Sequence, residues 1–447
     1  MNRNHSYGQA LKKLAAFSIP LILSGLLQQL FNWVDALIVG NFLGETALAG
    51  VGATTSLYNL FVTMIVGFTS GLSVLFAQQF GEGNSKGNTD LLASYAVLLT
   101  STFTIVAALG MAFAVPILKL MDTPASLLSH AGSYLRGLFW GVPFLALYNT
   151  YSAALRGMGN STVPFAAAGI SSVTNAVLDV VFIAVCGFGI PGAAAATALS
   201  QIAMAVFIAA YTTVKHPSLR FSPFRIRQYQ GILGKGGKYG VPPAVQSSVS
   251  SVGNLFLQRF MNSFGEQTVA AITTAYRVDT VLLLPILNFS MAISTLTAQE
   301  TGAGNKEAVK KTFRIGMAMM PVLSLALTAV VLLAGETLLS LFGLTAESVE
   351  IGKAFFRSIA GFYGIYGLSM GLKGYLEGTA DLLFSSIVGV CSLGVRILCS
   401  YGFAGIWGNM VVADAEAFSW IFLLAAFTLR CLKRRRGETR SPARPAA

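Results

Sequence analysis

The chain has 447 residues, of which 54% are hydrophobic and only 11% are charged. Soluble domains average about 25% charged residues, so this composition, with a mean hydropathy of +0.67, excludes a soluble enzyme and places most of the chain in a lipid bilayer. The net charge of +12 would suit nucleic acid, but the basic residues collect between apolar segments, which is typical of membrane topology. Nucleic acid is therefore not an expected partner.

Twelve apolar segments are long enough to cross a bilayer, which takes about 20 residues in a helix. Their approximate bounds are 14–40, 52–79, 91–118, 131–155, 163–186, 192–214, 239–262, 268–298, 312–334, 354–376, 382–400 and 409–430. Lysine and arginine concentrate in alternate connections and in the C-terminal tail, whereas opposite loops such as NFLGETALAG hold almost none. The positive-inside rule then predicts a multi-pass protein of the inner (plasma) membrane, surrounded by lipid, with both termini in the cytoplasm.

The first segment carries polar side chains inside its apolar run FSIPLILSGLLQQLFNWVDALIVG. Gln28, Asn32 and Asp35 are spaced at i, i+4 and i+7, which predicts that they share one face of a helix. A carboxylate in hydrocarbon costs several kcal/mol unless it faces a cavity or a partner, which makes Asp35 a candidate functional residue. The alternative is a polar patch that only holds helices together. Pro20 lacks a backbone donor and predicts a bend, and therefore a hinge, in this helix.

The chain is internally duplicated at an offset of 221 residues. AQQFGEGN at 77–84 is repeated as AQETGAGN at 298–305, and LRG at 155–157 as LEG at 376–378. Duplication is common in secondary transporters, and six segments in each half predict an all-α membrane protein of two six-helix bundles. A pseudo-two-fold axis along the membrane normal would relate them. The predicted domains are an N-terminal lobe with a cation site, a cytoplasmic basic linker and a C-terminal lobe with a basic tail, over residues 1–214, 215–238 and 239–447.

A candidate cation site belongs to the first half, because the position equivalent to Asp35 in the second half is Phe256. Asn175 and Asp179 lie one turn apart in the fifth segment. At 1.5 Å per residue, Asp35, Asp179 and Thr197 in the sixth segment lie at similar depths, about 8–11 Å beneath the outer surface, and could share a pocket.

Two carboxylates at one depth repel each other, so at least one would be protonated or neutralised by a cation. Carboxylate, amide and hydroxyl oxygens suit a hard cation, which leaves Na⁺ and H⁺ as alternatives. The competing interpretation is that Asp179 only caps or pairs locally.

The second half has its own charged residues within apolar segments, namely Arg277, Asp279, Arg396, Asp414 and Glu416. They form ion pairs across helices or line a substrate path, and the sequence leaves both possibilities open. An intramembrane enzyme would need a catalytic constellation, but the chain has no HExxH motif and no glycine-rich phosphate loop after a strand. The sequence therefore predicts neither an enzyme nor a bound cofactor.

Several motifs together resemble the multidrug and toxic-compound extrusion (MATE) family over nearly the whole chain. They are Pro20 with Asp35, AQQFGEGN, LRGMGNSTVP, NAVLD and GAAAAT. The resemblance implies twelve helices in two lobes and a secondary active antiporter. Such a protein exports small organic, often cationic, compounds by alternating access in exchange for inward Na⁺ or H⁺. A monomer is expected.

The resemblance also implies roles for individual residues. Family members with a cation site in the N-terminal lobe use residues that fall here on Asp35, Asn175, Asp179 and Thr197, which would be the Na⁺ ligands if Na⁺ is the coupling ion. Pro20 would be the bend that responds to protonation. Further substrate or network candidates are Gln28, Asn32, Tyr134, Asn149 and Glu416. Another branch has a glutamate in the seventh helix, but Ser250 occupies about that position, which argues against a C-lobe cation site of that kind.

A flippase for a lipid-linked precursor is the alternative transport function. It would predict a cationic groove and usually additional spans, whereas this chain has twelve segments and an acidic pocket. The sequence does not identify the substrate, and it does not separate Na⁺ from H⁺ because the same oxygens serve both.

Overall fold

The computed structural model describes residues 7–220, 231–342 and 344–440, and the regular secondary structure of this part of the chain is all helical. In the first half the helices are α1 Tyr7–Leu43, α2 Glu45–Gly81, α3 Ser85–Leu120, α4 Ala125–Gly157, α5 Thr162–Asp179 and α6 Gly189–Lys215. In the second half they are α7 Leu233–Met261, α8 Glu266–Gly302, α9 Lys306–Ser340, α10 Ala346–Ala360, α11 Tyr363–Gly378, α12 Leu382–Trp407 and α13 Val411–Arg440.

The predicted duplication appears in the helix bounds. The bounds of α2, shifted by 221 residues, are the bounds of α8, and α4 shifted in the same way spans α10 and α11 together. Only Gly361 and Phe362 separate α10 from α11, so these two helices form one interrupted span. The described chain thus contains twelve spans in two sets of six, and the predicted all-α fold of two six-helix bundles is confirmed.

Eight helical stretches of the described chain are long and apolar enough to cross a membrane. The last of them, Leu382–Arg436, contains both α12 and α13. The helices α4 and α7 and the interrupted α10–α11 span are not among them. For α4 the reason is its position, because this helix is buried along most of its length and contacts α2, α3 and α6. Its surface meets protein, so it carries more polar and small residues than a helix that faces lipid.

Contacts group the described residues into two compact units. The first unit comprises Ala15–Ser251 and Ala298–Asn305, and the second comprises Met1–Leu14, Val252–Thr297 and Lys306–Ala447. These boundaries cut through α1, α7 and α8, whereas the domain boundaries expected from the sequence follow the repeat. The division into residues 1–214, 215–238 and 239–447, like the pseudo-two-fold axis, stays a prediction. Residues 221–230 of the expected linker lie outside the described residues.

The repeated AQxxGxGN motif has a structural explanation in the first unit. A Cβ added to Gly81 would lie 2.9 Å from the carbonyl carbon of Gln299, and one added to Gly302 would lie 2.7 Å from that of Gln78. The ends of α2 and α8 therefore cross backbone to backbone, and only glycine fits at the crossing. The Gln299 side chain also donates a hydrogen bond of 2.7 Å from Nε2 to the Gly157 carbonyl oxygen.

The last two positions of the motif form the turn that follows. Gly83 and Gly304 have φ angles of 73° and 69°, in the left-handed region that side chains with a Cβ disfavour. Asn84 then caps α3, because its Oδ1 accepts a hydrogen bond of 2.8 Å from the Gly87 backbone. An asparagine at this position satisfies one of the free N–H groups of the first turn.

Candidate functional site

Two buried carboxyl groups meet in the first unit. Asp35 on α1 is 9% exposed, and Asp179 at the end of α5 is fully buried. Their carboxyl groups are close enough to interact electrostatically, and Tyr134 on α4 donates from Oη to Asp35 Oδ2 over 3.3 Å. Two carboxylates have no hydrogen to share, so their contact requires a proton on one of them or a cation between them.

Asn175 and Thr197 complete the cluster. Asn175 lies one turn before Asp179, is fully buried, and donates from Nδ2 to Thr197 Oγ1 on α6 over 3.4 Å. The Thr197 hydroxyl in turn donates a hydrogen bond of 3.1 Å to the Ala193 carbonyl oxygen. The amide nitrogen of Asn175 is thus used in a hydrogen bond, whereas its amide oxygen accepts none from the described residues.

The cluster has more acceptors than donors. Four of the cluster's buried oxygens accept no hydrogen bond from the described residues, namely Asp35 Oδ1, Asn175 Oδ1 and both carboxyl oxygens of Asp179, and the same holds for Oε1 of Gln201, one turn beyond Thr197 on α6. A buried polar atom without a partner costs about 1–3 kcal/mol, so a positive charge shared among these oxygens would stabilise the cluster. Oxygen atoms from carboxylate and amide groups are ligands suited to a hard cation such as Na⁺ or to a shared proton.

Close packing of α4 on α6 holds the cluster together. A Cβ on Gly141 would lie 3.2 Å from the Cα of Ala198, and one on Gly137 would overlap the methyl group of Ala194. Glycines at these two positions let the helices approach closely. Tyr134 on α4 and Thr197 on α6 lie on the two helices that this packing brings together.

A π-helical segment follows Asp179 directly and was not predicted from the sequence. It covers Val180–Val185, and the Cys186 backbone N–H donates to the Val181 carbonyl oxygen at 2.8 Å, an i+5 hydrogen bond. Such segments occur often at functional sites. The depths counted from the sequence also change, since Asp35 lies eight residues before the end of α1 and Thr197 eight residues after the start of α6.

Two further residues border the site, and the sequence analysis did not identify them as candidates. Gln201 on α6 donates from Nε2 to the Tyr58 hydroxyl on α2 over 2.6 Å, and Tyr58 packs against the same apolar cluster as Tyr134. The sequence held one usable signal. Gln201 lies four residues after Thr197 and therefore on the same helical face.

The other first-half candidates lie apart from these contacts. Gln28 and Asn32 have exposed side chains, although the spacing predicted that they share a face with the buried Asp35. Asn149 is buried, but its amide donates 2.9 Å to Leu145 in its own helix. Pro20 lies inside α1, which continues through it. Roles for these four residues stay predictions.

In the second unit, Glu416 lies in an ion pair. Its carboxylate lies 3.1 Å from the Arg396 guanidinium, whose Nη2 also donates 2.6 Å to the Tyr276 hydroxyl. Asp279 accepts a hydrogen bond from the Tyr363 hydroxyl. One of the two possibilities left open by the sequence, pairing across helices, therefore applies to Arg396 and Glu416.

The last two charged candidates differ from each other in exposure. Asp414 on α13 is partly buried and accepts a hydrogen bond of 2.6 Å from the Ser358 hydroxyl. Arg277 on α8 has an exposed side chain. Neither residue belongs to the Arg396–Glu416 pair.

A duplicated, all-helical membrane fold with acidic side chains buried inside its spans defines a membrane transporter, not an enzyme. A model of the MatE family matches residues 20–181 and 242–401, which is well over half of the chain. The chain therefore belongs to the MatE family, the multidrug and toxic-compound extrusion family that its motifs resemble.

Individual relatives are similar over most of their length. The chain is 29% identical over 391 residues to the probable multidrug resistance protein YpnP of Bacillus subtilis, covering 87% of each chain. It is 26% identical to the probable multidrug resistance protein NorM of Thermotoga maritima, with 90% and 89% covered. A protein of Shewanella oneidensis named as an FAD transporter is 22% identical, with 82% of each chain covered.

Solved structures show the same fold. The outward-facing conformation of a multidrug resistance MATE family transporter superimposes with a TM-score of 0.88 at 22% identity, covering 98% of each chain. A MATE transporter in the bent conformation gives a TM-score of 0.87 at 23% identity, covering 97% of this chain and 98% of that one.

Proposed function

We propose that this transporter is a secondary active antiporter that exports organic, often cationic, compounds in exchange for inward Na⁺ or H⁺. The observation that carries the proposal is the buried Asp35–Asp179 pair, in which two carboxyl groups meet without a donor between them. Such a pair is stable only when it holds positive charge. The free energy of the protein therefore depends on whether an ion is bound there.

The pair would couple ion to substrate through the conformational equilibrium. With the site open to the outside, Na⁺ or H⁺ loads Asp35 and Asp179, and the neutral pair favours the state that releases substrate. With the site open to the inside, the ion leaves and substrate binds again. The exchange requires that ion and substrate prefer opposite states.

The energy available at the site is sufficient for such coupling. Moving a two-state equilibrium from 1:99 to 99:1 takes about 5.5 kcal/mol. A buried ion without a partner costs several kcal/mol after relaxation, and Asp179 is fully buried. Loading or emptying one carboxyl pair is thus of the right magnitude to change the favoured state.

Each coupling ion would use a different subset of the cluster. Na⁺ would be held by carboxylate oxygens of Asp35 and Asp179, the free amide oxygen of Asn175 and the hydroxyl oxygen of Thr197. A proton would be held between the two carboxyl groups. Bending of α1 at Pro20 would connect the ion site to the conformational change.

The substrate class is proposed from the relatives, two of which are named as probable multidrug resistance proteins. The FAD transporter relative shows that the family also includes a protein named for an anionic compound. We propose that the protein lies in the plasma membrane with both termini in the cytoplasm, on the distribution of lysine and arginine, and that it acts as a monomer.

Purified protein in proteoliposomes provides the test. Transport of ethidium, and separately of FAD, is measured under a Na⁺ gradient at equal pH and under a pH gradient without Na⁺. We expect ethidium to move against at least one inward ion gradient and FAD not to move.

Variants assign the coupling to the carboxyl pair. Asp35→Asn and Asp179→Asn should abolish gradient-driven transport, whereas Asp90→Asn near the start of α3 should retain it. If neither gradient changed the rate of ethidium transport, antiport would be rejected. Transport of FAD but not of ethidium would reject the proposed substrate class.

A further inference from the structure

The second unit contains a polar cavity that the proposed ion site does not use. Its volume is about 330 Å³, at the lower end of the range of small-molecule sites, about 300–1,000 Å³. Four charged or phenolic side chains line it, namely Tyr276, Asp279, Arg396 and Glu416. The apolar part of its wall consists of Leu257, Met261, Leu283 and Leu287.

A second cavity adjoins the first. It has a volume of about 590 Å³ and is lined by residues of the turn before α8 and the first turns of that helix. Thr273 lines both cavities. The exposed Arg277 lies in the wall of the larger cavity only.

The charges in the smaller cavity do not balance. Arg396 pairs with Glu416 at 3.1 Å and uses the same nitrogen for the Tyr276 hydroxyl. Asp279 is 2% exposed and accepts a hydrogen bond from the Tyr363 hydroxyl, but among the described residues it forms no ion pair. Two carboxylates and one guanidinium leave one negative charge, and a buried charge needs a partner to be stable.

The surroundings of Asp279 favour a particular kind of partner. Leucine and methionine side chains form the apolar wall, Tyr276 lines the same cavity, and the Tyr363 hydroxyl donates a hydrogen bond to the carboxylate. Asn254, Gln258, Thr273 and Thr280 also line the cavity, but its leucine and methionine side chains suit the apolar part of an organic cation, which a metal ion lacks. The Tyr276 ring already holds the Arg396 guanidinium at 5.2 Å from its centroid, an internal cation–π interaction, which leaves the Asp279 carboxylate as the group that would attract the ligand.

We propose that this cavity is a second binding site, which takes a small organic monocation with an apolar body and uses Asp279 as its counter-ion. It differs from a site built on a seventh-helix glutamate, since α7 supplies only Asn254, Leu257, Gln258 and Met261 to its wall. The proposal rests on the proposed function only in taking an organic cation as ligand.

Binding to the purified full chain in detergent tests the proposal without any ion gradient. The probe is radiolabelled benzyltrimethylammonium. The background variant Asp35→Asn/Asp179→Asn removes the carboxyl pair of the first unit. We expect this background to bind about one equivalent of probe, and addition of Asp279→Asn to weaken binding at least tenfold.

A matched control is available two residues from Glu416. Asp414→Asn changes a carboxylate of the same unit that does not line the cavity, and it should leave binding unchanged. Leu287→Trp fills the cavity while it keeps the charge of Asp279, and it should weaken binding as Asp279→Asn does. Elution as a single species in size-exclusion chromatography checks that each variant is folded.

Three results would overturn the proposal. They are loss of all binding in the Asp35→Asn/Asp179→Asn background, unchanged binding in Asp279→Asn, and an equal loss in Asp414→Asn. If Asp279→Asn instead altered only proton release on acid titration and left probe binding intact, Asp279 would be a proton site and the proposal would also fail. If the probe bound as expected but no ion gradient drove transport, the proposed antiport function would be rejected and the proposed binding site would stand.

Discussion

Gly81→Ala tests the close crossing of α2 and α8, which is formed by the two copies of the repeated motif. The added Cβ would lie 2.9 Å from the Gln299 carbonyl carbon and from the Ala303 nitrogen, and closer still to the Gln299 carbonyl oxygen. An ordinary contact begins at 3.4 Å, so the two backbones must separate by at least about half an ångström. Neither side can yield by rotating a side chain, because the neighbours are backbone atoms.

The expected loss is about 1–3 kcal/mol, the usual cost of overpacking. Gly52→Ala is the matched control in the same helix, since a Cβ there meets nothing within 4 Å. Replacing an exposed helical glycine by alanine should stabilise the protein by up to about 1 kcal/mol. Thermal unfolding of the detergent-solubilised protein, followed by loss of the monodisperse peak, measures both changes.

Gly302→Ala perturbs the same crossing from the other side. Once one alanine has separated the helices, the second meets less resistance, so the double variant should lose less stability than the sum of the two single variants. If Gly81→Ala were as stable as Gly52→Ala, or if the two losses simply added, the close crossing would not be a constraint on the folded protein.

Three other changes test contacts elsewhere. Arg396→Met should lower the free energy of unfolding by about 3–5 kcal/mol because it leaves Glu416 buried without its partner, and adding Glu416→Gln should recover part of that loss in thermal unfolding. Gln201→Leu should cost about 1–3 kcal/mol because the buried hydroxyl of Tyr58 loses a partner; an unchanged melting temperature would contradict this. Pro20→Ala should slow transport without changing substrate affinity, and equal turnover would show that α1 need not bend there.

The fold could be predicted from the sequence largely because two signals agree. The apolar segments have bilayer length, and the offset of 221 residues makes each segment of the first half equivalent to one of the second. The interruption at Gly361 and Phe362 could not be predicted in the same way. The apolar pattern continues through it, and the equivalent residues of α4 lie inside a continuous helix.

The candidate site was predicted in its residue types but not in its connections. Spacing on one helical face brought Asn175 and Asp179 together correctly. The same rule grouped Gln28 and Asn32 with Asp35, yet only Asp35 is buried. Helical spacing gives the face on which a residue lies, whereas burial depends on which neighbouring helix packs at that height.

Contacts across helices were the least predictable feature. The hydrogen bond between Gln201 and Tyr58 joins residues 143 positions apart, and the bond between Tyr363 and Asp279 joins residues 84 positions apart. No local pattern encodes such pairs. The π-helical turn after Asp179 could not be predicted from the sequence either, because its residues, VVFIAV, are as apolar as those of an ordinary membrane helix.

The central claim is that the Asp35–Asp179 pair couples ion and substrate, and reciprocity offers its most direct test. If an ion gradient drives substrate, a substrate gradient must drive the ion in the opposite direction. The measurement uses proteoliposomes that contain a pH-sensitive dye and ²²Na⁺, with an imposed gradient of ethidium. We predict countermovement of H⁺ or Na⁺ with the native chain and with Asp90→Asn, and none with Asp35→Asn or Asp179→Asn. Countermovement that persists in both pair variants would contradict the claim.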